Sequence, residues 1–294
     1  MFDRMREFFL AITPARFRRD IPLVPVVRLA GVIGVSTPLK PGLMLSGVAK
    51  SLQRAFAMPN AKAVALIINS PGGSPVQSHL IFLRIRQLSE EHHIPVIAFV
   101  EDVGASGGYM IACAADEIIA DQSSIVGSIG VVGGSFGFVG LLDKLGIERR
   151  LYTSGENKAM LDPFLPVKQD DVDRLKALQR DIHEDFIALV KQRRGDKLSR
   201  EKDLFTGEYW TGQRSLELGL IDAIGDLRST LRTRYGDKVR TPLIAAERGF
   251  FGRRVPGLGQ FFGQKLEVFG RSPDFAEEIV SAFEARAIWA RYGL

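Results

Sequence analysis

The sequence predicts an α/β protein built around a largely parallel, buried sheet. Apolar runs of strand length recur at residues 23–29, 63–69, 95–100 and 117–120. Segments of helical periodicity, 44–57 and 76–91, separate the first three. Near-continuous apolar strands alternating with helices are the pattern of a sheet covered on both faces. Composition agrees: the 294 residues are 46% hydrophobic and 25% charged, which excludes a disordered chain. That length suits one large domain with appendages, or two domains.

The elements follow in order. Residues 1–21 set Arg4, Arg6, Arg16, Arg18 and Arg19 around Phe2, Met5, Phe9 and Ile12, spaced as on one helical face. The segment has neither the apolar core nor the small-residue cleavage site of a secretory signal. It is also too short in apolar residues to span a bilayer, which takes about 20. Strand 63–69 runs into the loop Asn69-Ser70-Pro71-Gly72-Gly73-Ser74-Pro75, and strand 95–100 leads to Gly104-Ala105-Ser106-Gly107-Gly108-Tyr109 and a small-residue segment over 106–115. Residues 122–142 carry no charge but six glycines and four serines, poor material for a lipid-facing helix. They read as a buried, turn-rich core segment of short strands.

A strand is expected at 147–152, then a long amphipathic helix over 168–193, opened by Pro166 and closed by Gly195. Its apolar positions Val172, Leu175, Leu178, Ile182, Phe186 and Leu189 step by three or four. A helix over 211–218 leads through Gly219 to a short strand at 220–221. Beyond it, residues 228–271 hold ten cations against three anions, a local +7 in a chain of net +5, interleaved with Phe250, Phe251, Phe261, Phe262 and Phe269. The basic character therefore belongs to a tail, and the body is slightly acidic. A last helical pattern, 274–291, carries Ile279, Phe283, Ala287 and Ala290.

Two glycine-rich loops follow strands and can carry chemistry. Paired Gly72 and Gly73 let the backbone aim N–H groups into a concavity, which suits an oxyanion or a phosphate. The lysine of a P-loop and the GxGxxG spacing are both missing, so nucleotide binding is weakly supported. Ser106, among small residues where a strand turns into a helix, is either a helix N-cap or an exposed nucleophile. A nucleophilic serine needs a base. His92 and His93 end a polar helix, His79 begins one, and His183 lies beside the apolar positions of the long helix. No histidine falls in the glycine-rich core after Ser106, which leaves a lysine. A lysine base must be neutral, so its ordinary pKa of about 10.4 has to fall by about three, roughly 4 kcal/mol, through burial or nearby cations. Lys158, in Ser154-Gly155-Glu156-Asn157-Lys158, is the candidate, although a lone loop lysine is ordinarily solvated. The single cysteine, Cys113, excludes an intramolecular disulfide framework, and four histidines without close ligand spacing argue against zinc.

In series, Asn69-Ser70-Pro71-Gly72-Gly73, Gly104-Ala105-Ser106-Gly107-Gly108-Tyr109, Gly127-Ser128-Ile129-Gly130-Val131, Ser154-Gly155-x-x-Lys158 and Pro163-Phe164 resemble the signal peptide peptidase A family of serine peptidases. The order and spacing match over about 22–225. The resemblance implies a ClpP/crotonase-like fold of repeated ββα-type units and a Ser/Lys dyad, with Ser106 as nucleophile and Lys158 as general base. It implies the short, single-repeat form, a homo-oligomeric ring in which Ser106 meets Lys158 of a neighbouring protomer. On that reading the amides of Gly72 or Gly73, with that of Gly107, bind the oxyanion, while Ser128 either orients the lysine or is a turn serine. The uncharged 122–142 segment becomes the wall of an apolar groove, and the substrates are apolar peptides such as cleaved signal peptides. No cofactor or metal is expected.

The expected organisation is a basic amphipathic segment over 1–21, the peptidase domain over 22–227, and a basic Phe-rich linker with a C-terminal helix over 228–294. Many relatives carry an N-terminal membrane anchor, and this chain has only its basic opening. Aromatic and basic residues together favour an anionic membrane surface, so a cytoplasmic or membrane-peripheral location is expected. No recognition motif points to nucleic acid. Two rival readings are a crotonase-like acyl-thioester enzyme and a non-catalytic membrane-associated scaffold.

Overall fold

The computed structural model describes residues 21–35, 42–245, 287, 289–290 and 292. Strands β1 (Val26–Ala30), β2 (Val64–Ser70), β3 (Val96–Ala105) and β4 (Glu117–Ala120) lie parallel in that order, and the two-residue β7 (Ala223–Ile224) closes the far edge. Helices α1 (Leu45–Phe56) and α2 (Pro75–His92) make the crossovers. Helix α2 starts where the sequence signals it: the Ser74 hydroxyl accepts the Gln77 amide and Pro75 takes the first position, where no N–H is needed.

Alternation along the strands explains why the runs are apolar throughout. Val27, Leu29, Leu66, Ile68, Ala98 and Val100 point to one face, into a core with Leu52, Phe56, Ile81 and Ile85 of the two helices. Val26, Ala65, Ile97 and Phe99 point to the other face, where Leu231 of α7 (Leu227–Tyr235) packs on them.

A second, smaller layer of pairing gives the repeated ββα organisation. Ile33 after β1 bridges Gly73 after β2, and β3 changes partner along its length: residues 97–100 pair with β4, while 103–105 pair with β5 (Ile125–Gly127). β5 pairs antiparallel with β6 (Tyr209–Thr211), which runs into α6 (Gly212–Glu217). Each long strand thus continues into a short second-layer segment before its helix, the ClpP/crotonase-like arrangement. The third unit ends in α3 (Gly107–Ala112), six small or apolar residues that are all buried.

The 26-residue α5 (Gln169–Arg194) anchors by its C-terminal end, where Phe186, Leu189 and Val190 are buried. Arg194 there meets Asp222, just before β7, through Nη1–Oδ2 at 2.8 Å and Nη2–Oδ1 at 3.1 Å. Cys113 lies deep in the same region, and burial pushes its thiol up to about 12. A thiol held neutral and buried does not react. Iodoacetamide is therefore expected to leave Cys113 unmodified in the folded protein and to alkylate it fully in denaturant, as read by intact mass; modification under native conditions would contradict this burial.

Four expectations are corrected. Residues 147–152 form no strand, because they have no partner: Arg149 reaches to Asp162, Arg150 to Glu148, and Ile147 and Tyr152 stay exposed. The terminal strand lies at 223–224, not 220–221; Leu220 is instead buried, and its carbonyl accepts the Tyr109 hydroxyl at 2.8 Å. The 122–142 segment is core only as far as Ile129; from Val132 it leaves the body, and Phe136 is 80% exposed. The start of the basic tail belongs to the folded body. Arg234 of α7 pairs with Glu117, and beyond α7 the Arg240 and Pro242 carbonyls accept the Val24 and Val26 amides. The amphipathic segment before residue 21, the phenylalanines from Phe250 to Phe269 and most of the helical pattern at 274–291 lie outside the described residues.

Candidate active site

The pairing of β3 with β5 sets Ala105 against Gly127, so the next residues, Ser106 and Ser128, lie side by side where both strands end. Both have positive φ, +51° and +54°. Ser106 donates its amide to the Gly127 carbonyl at 2.8 Å, and its own carbonyl accepts the Met110 amide at 3.0 Å to begin α3. With φ +51° and ψ −123°, Ser106 makes a strained strand-to-helix turn, worth about 1–3 kcal/mol, which the surrounding pairing must hold. Although it stands at the N-cap position, its side chain makes no capping hydrogen bond. Half-buried, Ser106 instead lines a cleft of ≈ 820 Å³ together with Ser128, Gly73, Ile33, Val131 and Val132. That volume is in the usual range for ligand sites, roughly 300–1,000 Å³.

Glycine lets the layers approach closely enough to build this corner. A Cβ on Gly107 would lie 2.2 Å from Ser78 Oγ, so α3 can seat against α2 only without one. Gly72 has φ +99°, and a Cβ there would lie 2.8 Å from the Ser106 Cβ. Gly72→Ala is therefore expected to lose about 2 kcal/mol or more of stability and to displace Ser106. A urea midpoint and the rate of Ser106 labelling by a fluorophosphonate check this, and a neutral result on both would contradict the packing.

The two amides of the first loop differ. Gly72 donates its N–H to Ser70 Oγ at 3.2 Å, and its carbonyl accepts the Ile33 amide. The Ser74 amide donates to the Ile33 carbonyl, so the bridge uses the groups on either side of Gly73 and leaves the Gly73 N–H outside the pairing. The Gly107 N–H is the first of α3, one of those a helix leaves without an internal partner.

Of the sequence-predicted residues, Gly72, Gly73, Ser106, Gly107 and Ser128 thus come together, and Lys158 does not join them within one chain. It sits exposed in a run of turns, its amide donating to the Gly155 carbonyl, and is not among the residues lining the cleft. It belongs to an arm, residues 131–167, that folds on itself. Phe138 stacks on Phe164 with centroids 5.4 Å apart, Arg149 lies over the Phe164 ring at 4.9 Å, and the same arginine pairs with Asp162 at 2.6 Å. Helix α4 (Val139–Leu145) in this arm has no buried residue, and Leu141, Leu145, Tyr152, Met160 and Val167 are exposed. None of the four histidines lines the cleft: His79, His92 and His93 are exposed, and His183 Nε2 lies 3.0 Å from the carbonyl of Ile129, between the lining residues Ser128 and Gly130.

Two aromatic residues at the site escaped the sequence reading. Tyr209 of β6 faces Tyr292, whose ring lines the cleft. The Tyr-Trp-Thr run at 209–211 was a readable strand signal, whereas nothing local to Tyr292 announces its position.

A serine on a strained strand–helix turn, beside Gly73 and Gly107 backbone donors that have no partner among the described residues, defines a site suited to acyl transfer. Residues 89–237, half of the chain, match the family model for Peptidase family S49, and the chain belongs to that family. It is 55% identical over 284 residues to a Brucella abortus protein named Na(+)/H(+) antiporter NhaA, a match covering 96% of this chain and 38% of that protein. It is 30% identical over 231 residues to the chloroplastic serine protease SPPA of Arabidopsis thaliana, covering 77% of this chain and 33% of that one. A solved membrane-bound stomatin-specific protease, 1510-N in complex with a substrate peptide, is 17% identical with a TM-score of 0.48, over 77% of this chain and 94% of that one. The chain thus spans well under half the length of these first two relatives.

Proposed function

We propose that the chain is a serine endopeptidase whose Ser/Lys dyad, Ser106 and Lys158, is completed between protomers of a homo-oligomeric ring. The observation that carries this reading is the separation of a half-buried Ser106, which makes no capping hydrogen bond and lines the cleft, from a Lys158 held outside it on an exposed apolar arm. An arm with so much apolar surface calls for a protein partner, and a neighbouring copy supplies both a cover for it and a cleft for the lysine.

In the reaction, Ser106 Oγ attacks the scissile carbonyl carbon while neutral Lys158 Nζ takes the hydroxyl proton. The same proton then passes to the departing amine, and water, deprotonated in turn by Lys158, releases the acyl group and restores Ser106. Gly73 and Gly107 are the better oxyanion donors, since the Gly72 amide is already given to Ser70. Such a donor elsewhere contributes about 3–4 kcal/mol to the transition state. Ser128, beside Ser106, orients the incoming neutral amine of Lys158. Ile33, Val131 and Val132 on the cleft wall favour apolar peptides, of which cleaved signal peptides are one class.

The Brucella relatives carry a transporter's name, but the stretch matched there includes this chain's S49 residues. Among the described residues no helix is long and apolar enough to cross a membrane. Attachment at an anionic membrane surface through the basic residues after 228 fits the exposed Arg228, Arg232 and Lys238.

Ser106→Ala and Lys158→Ala should each reduce hydrolysis of an apolar fluorogenic peptide by at least about 10³-fold with the circular dichroism spectrum unchanged. Full activity in Lys158→Ala would remove the dyad, and thioester turnover in that variant would favour the crotonase-like reading.

A further inference from the structure

The wall of the cleft beside Ser106 includes two residues from the far end of the chain. Ala287 and Tyr292 line it together with Ser106 and Ser128. Tyr292 is held there at three points. Its hydroxyl lies 3.4 Å from the Pro71 carbonyl and 3.2 Å from Ser128 Oγ. Its ring meets Tyr209 edge-on, with centroids 5.0 Å apart and planes at 63°. A phenol has one proton, and the Pro71 carbonyl can only accept, so the Tyr292 O–H donates to Pro71 and the Ser128 hydroxyl donates to Tyr292. The amide of Tyr292 donates to the Trp289 carbonyl at 2.9 Å, a turn that fixes the ring's approach. Aromatic edge contact and two hydrogen bonds on one side chain make a seated group.

We propose that Ala287 and Tyr292 block the peptide cleft in cis, with Tyr292 filling a subsite formed by Pro71, Ser128 and Tyr209 that a tyrosine- or phenylalanine-bearing peptide takes over when it displaces them. The proposal rests on the reading of this cleft as the peptide site. Competition follows from geometry. The Tyr292 hydroxyl engages Ser128, the neighbour of Ser106 across the strand pairing, so a peptide that needs this part of the cleft and a seated Tyr292 exclude one another. A cleft closed by its own chain nine-tenths of the time lowers apparent access and peptide affinity about tenfold.

The test reads access to position 106 without requiring catalysis. In a Ser106→Cys background of the full chain, the alkylation rate of the introduced thiol by iodoacetamide is followed by intact mass, with the buried Cys113 as internal check of the native state. Adding Tyr292→Ala should speed alkylation about tenfold. Tyr292→Phe, which keeps the ring and loses both hydrogen bonds, should fall between the two. A synthetic peptide spanning residues 285–294, added to the Tyr292→Ala protein, should slow the reaction again. An unchanged rate in Tyr292→Ala overturns the block. Faster alkylation in Tyr292→Ala, together with no peptide hydrolysis by any variant that keeps Ser106, leaves the block standing and removes the peptidase reading.

Discussion

A mixture of Ser106→Ala and Lys158→Ala proteins, each inactive alone, is expected to regain peptidase activity once their protomers exchange. The reason is the separation of Ser106 in the cleft from Lys158 on the exposed arm. In a ring where each site takes its serine from one protomer and its lysine from the next, random assembly of equal amounts gives about one complete site in four. Recovery should therefore approach a quarter of the unsubstituted activity and should vary with mixing ratio, with its maximum at equal amounts. If both groups came from the same protomer, every site would lack one of them, and mixing would restore nothing. Mass spectrometry of the mixed oligomer separates this outcome from a failure to exchange: mixed rings without activity exclude the dyad between protomers. The arm should also be needed for assembly. Its exposed Tyr152 and Val167, and the faces of α4, then become buried on association.

The second large effect is on stability. Arg194→Ala is expected to cost about 3–5 kcal/mol, because it leaves Asp222 without its main partner in a largely buried site. The Arg194 side chain is 3% exposed and that of Asp222 14%. Arg194 also donates Nε to the Gly219 carbonyl at 2.9 Å, and Asp222 accepts from the Ile118 amide at 2.8 Å and from Lys197 at 2.7 Å. One cluster therefore joins the end of α5, the start of β4 and the approach to β7. Replacing both partners with apolar residues of similar volume should lose much less than replacing either alone, since no unpaired charge remains buried.

The pH dependence follows from Asp222. Burial by itself would raise its pKa, but the hydrogen bonds from Arg194, Lys197 and the Ile118 amide outweigh burial and hold the carboxyl at about 2. A folded-state value below that of the unfolded chain means that the carboxylate's contribution, about 2 kcal/mol, is complete above roughly pH 4 and lost as pH falls toward 2. Urea midpoints measured across pH 2–5 should show this loss in the unsubstituted protein and a flatter profile in Asp222→Asn. Equal slopes in the two proteins would contradict the assignment.

Much of the fold could be read from the chain because its signals are local and repeated. The apolar run at 63–69 became β2 almost residue for residue, the run at 95–100 became the first half of β3, which continues to Ala105, and Ser74-Pro75 marked the start of α2. Apolarity at every strand position required cover on both faces, but it did not say what supplies the second cover. That turned out to be α7, inside a stretch whose cations had suggested a separate tail; the single buried Leu231 weighs little in composition but decides the packing. The absence of charge over 122–142 misled in the opposite direction, since an uncharged segment is equally suited to a core and to an arm that awaits a partner.

The sequence by itself determined the α/β class, the order of the strand–helix units and the motifs that mark Ser106, Gly72, Gly73, Gly107, Ser128 and Lys158. These are statements about side-chain type, periodicity and spacing, which act over a few residues. Only the tertiary structure decided that Ser106 and Ser128 end neighbouring strands, that the Gly73 amide rather than that of Gly72 is left outside the pairing, that Lys158 stands away from the cleft, and that Tyr292 enters it. Each depends on strand register or on contacts between residues far apart in the chain. A contact such as that of Tyr292 with Pro71, across more than two hundred residues, leaves no mark on the local pattern of either.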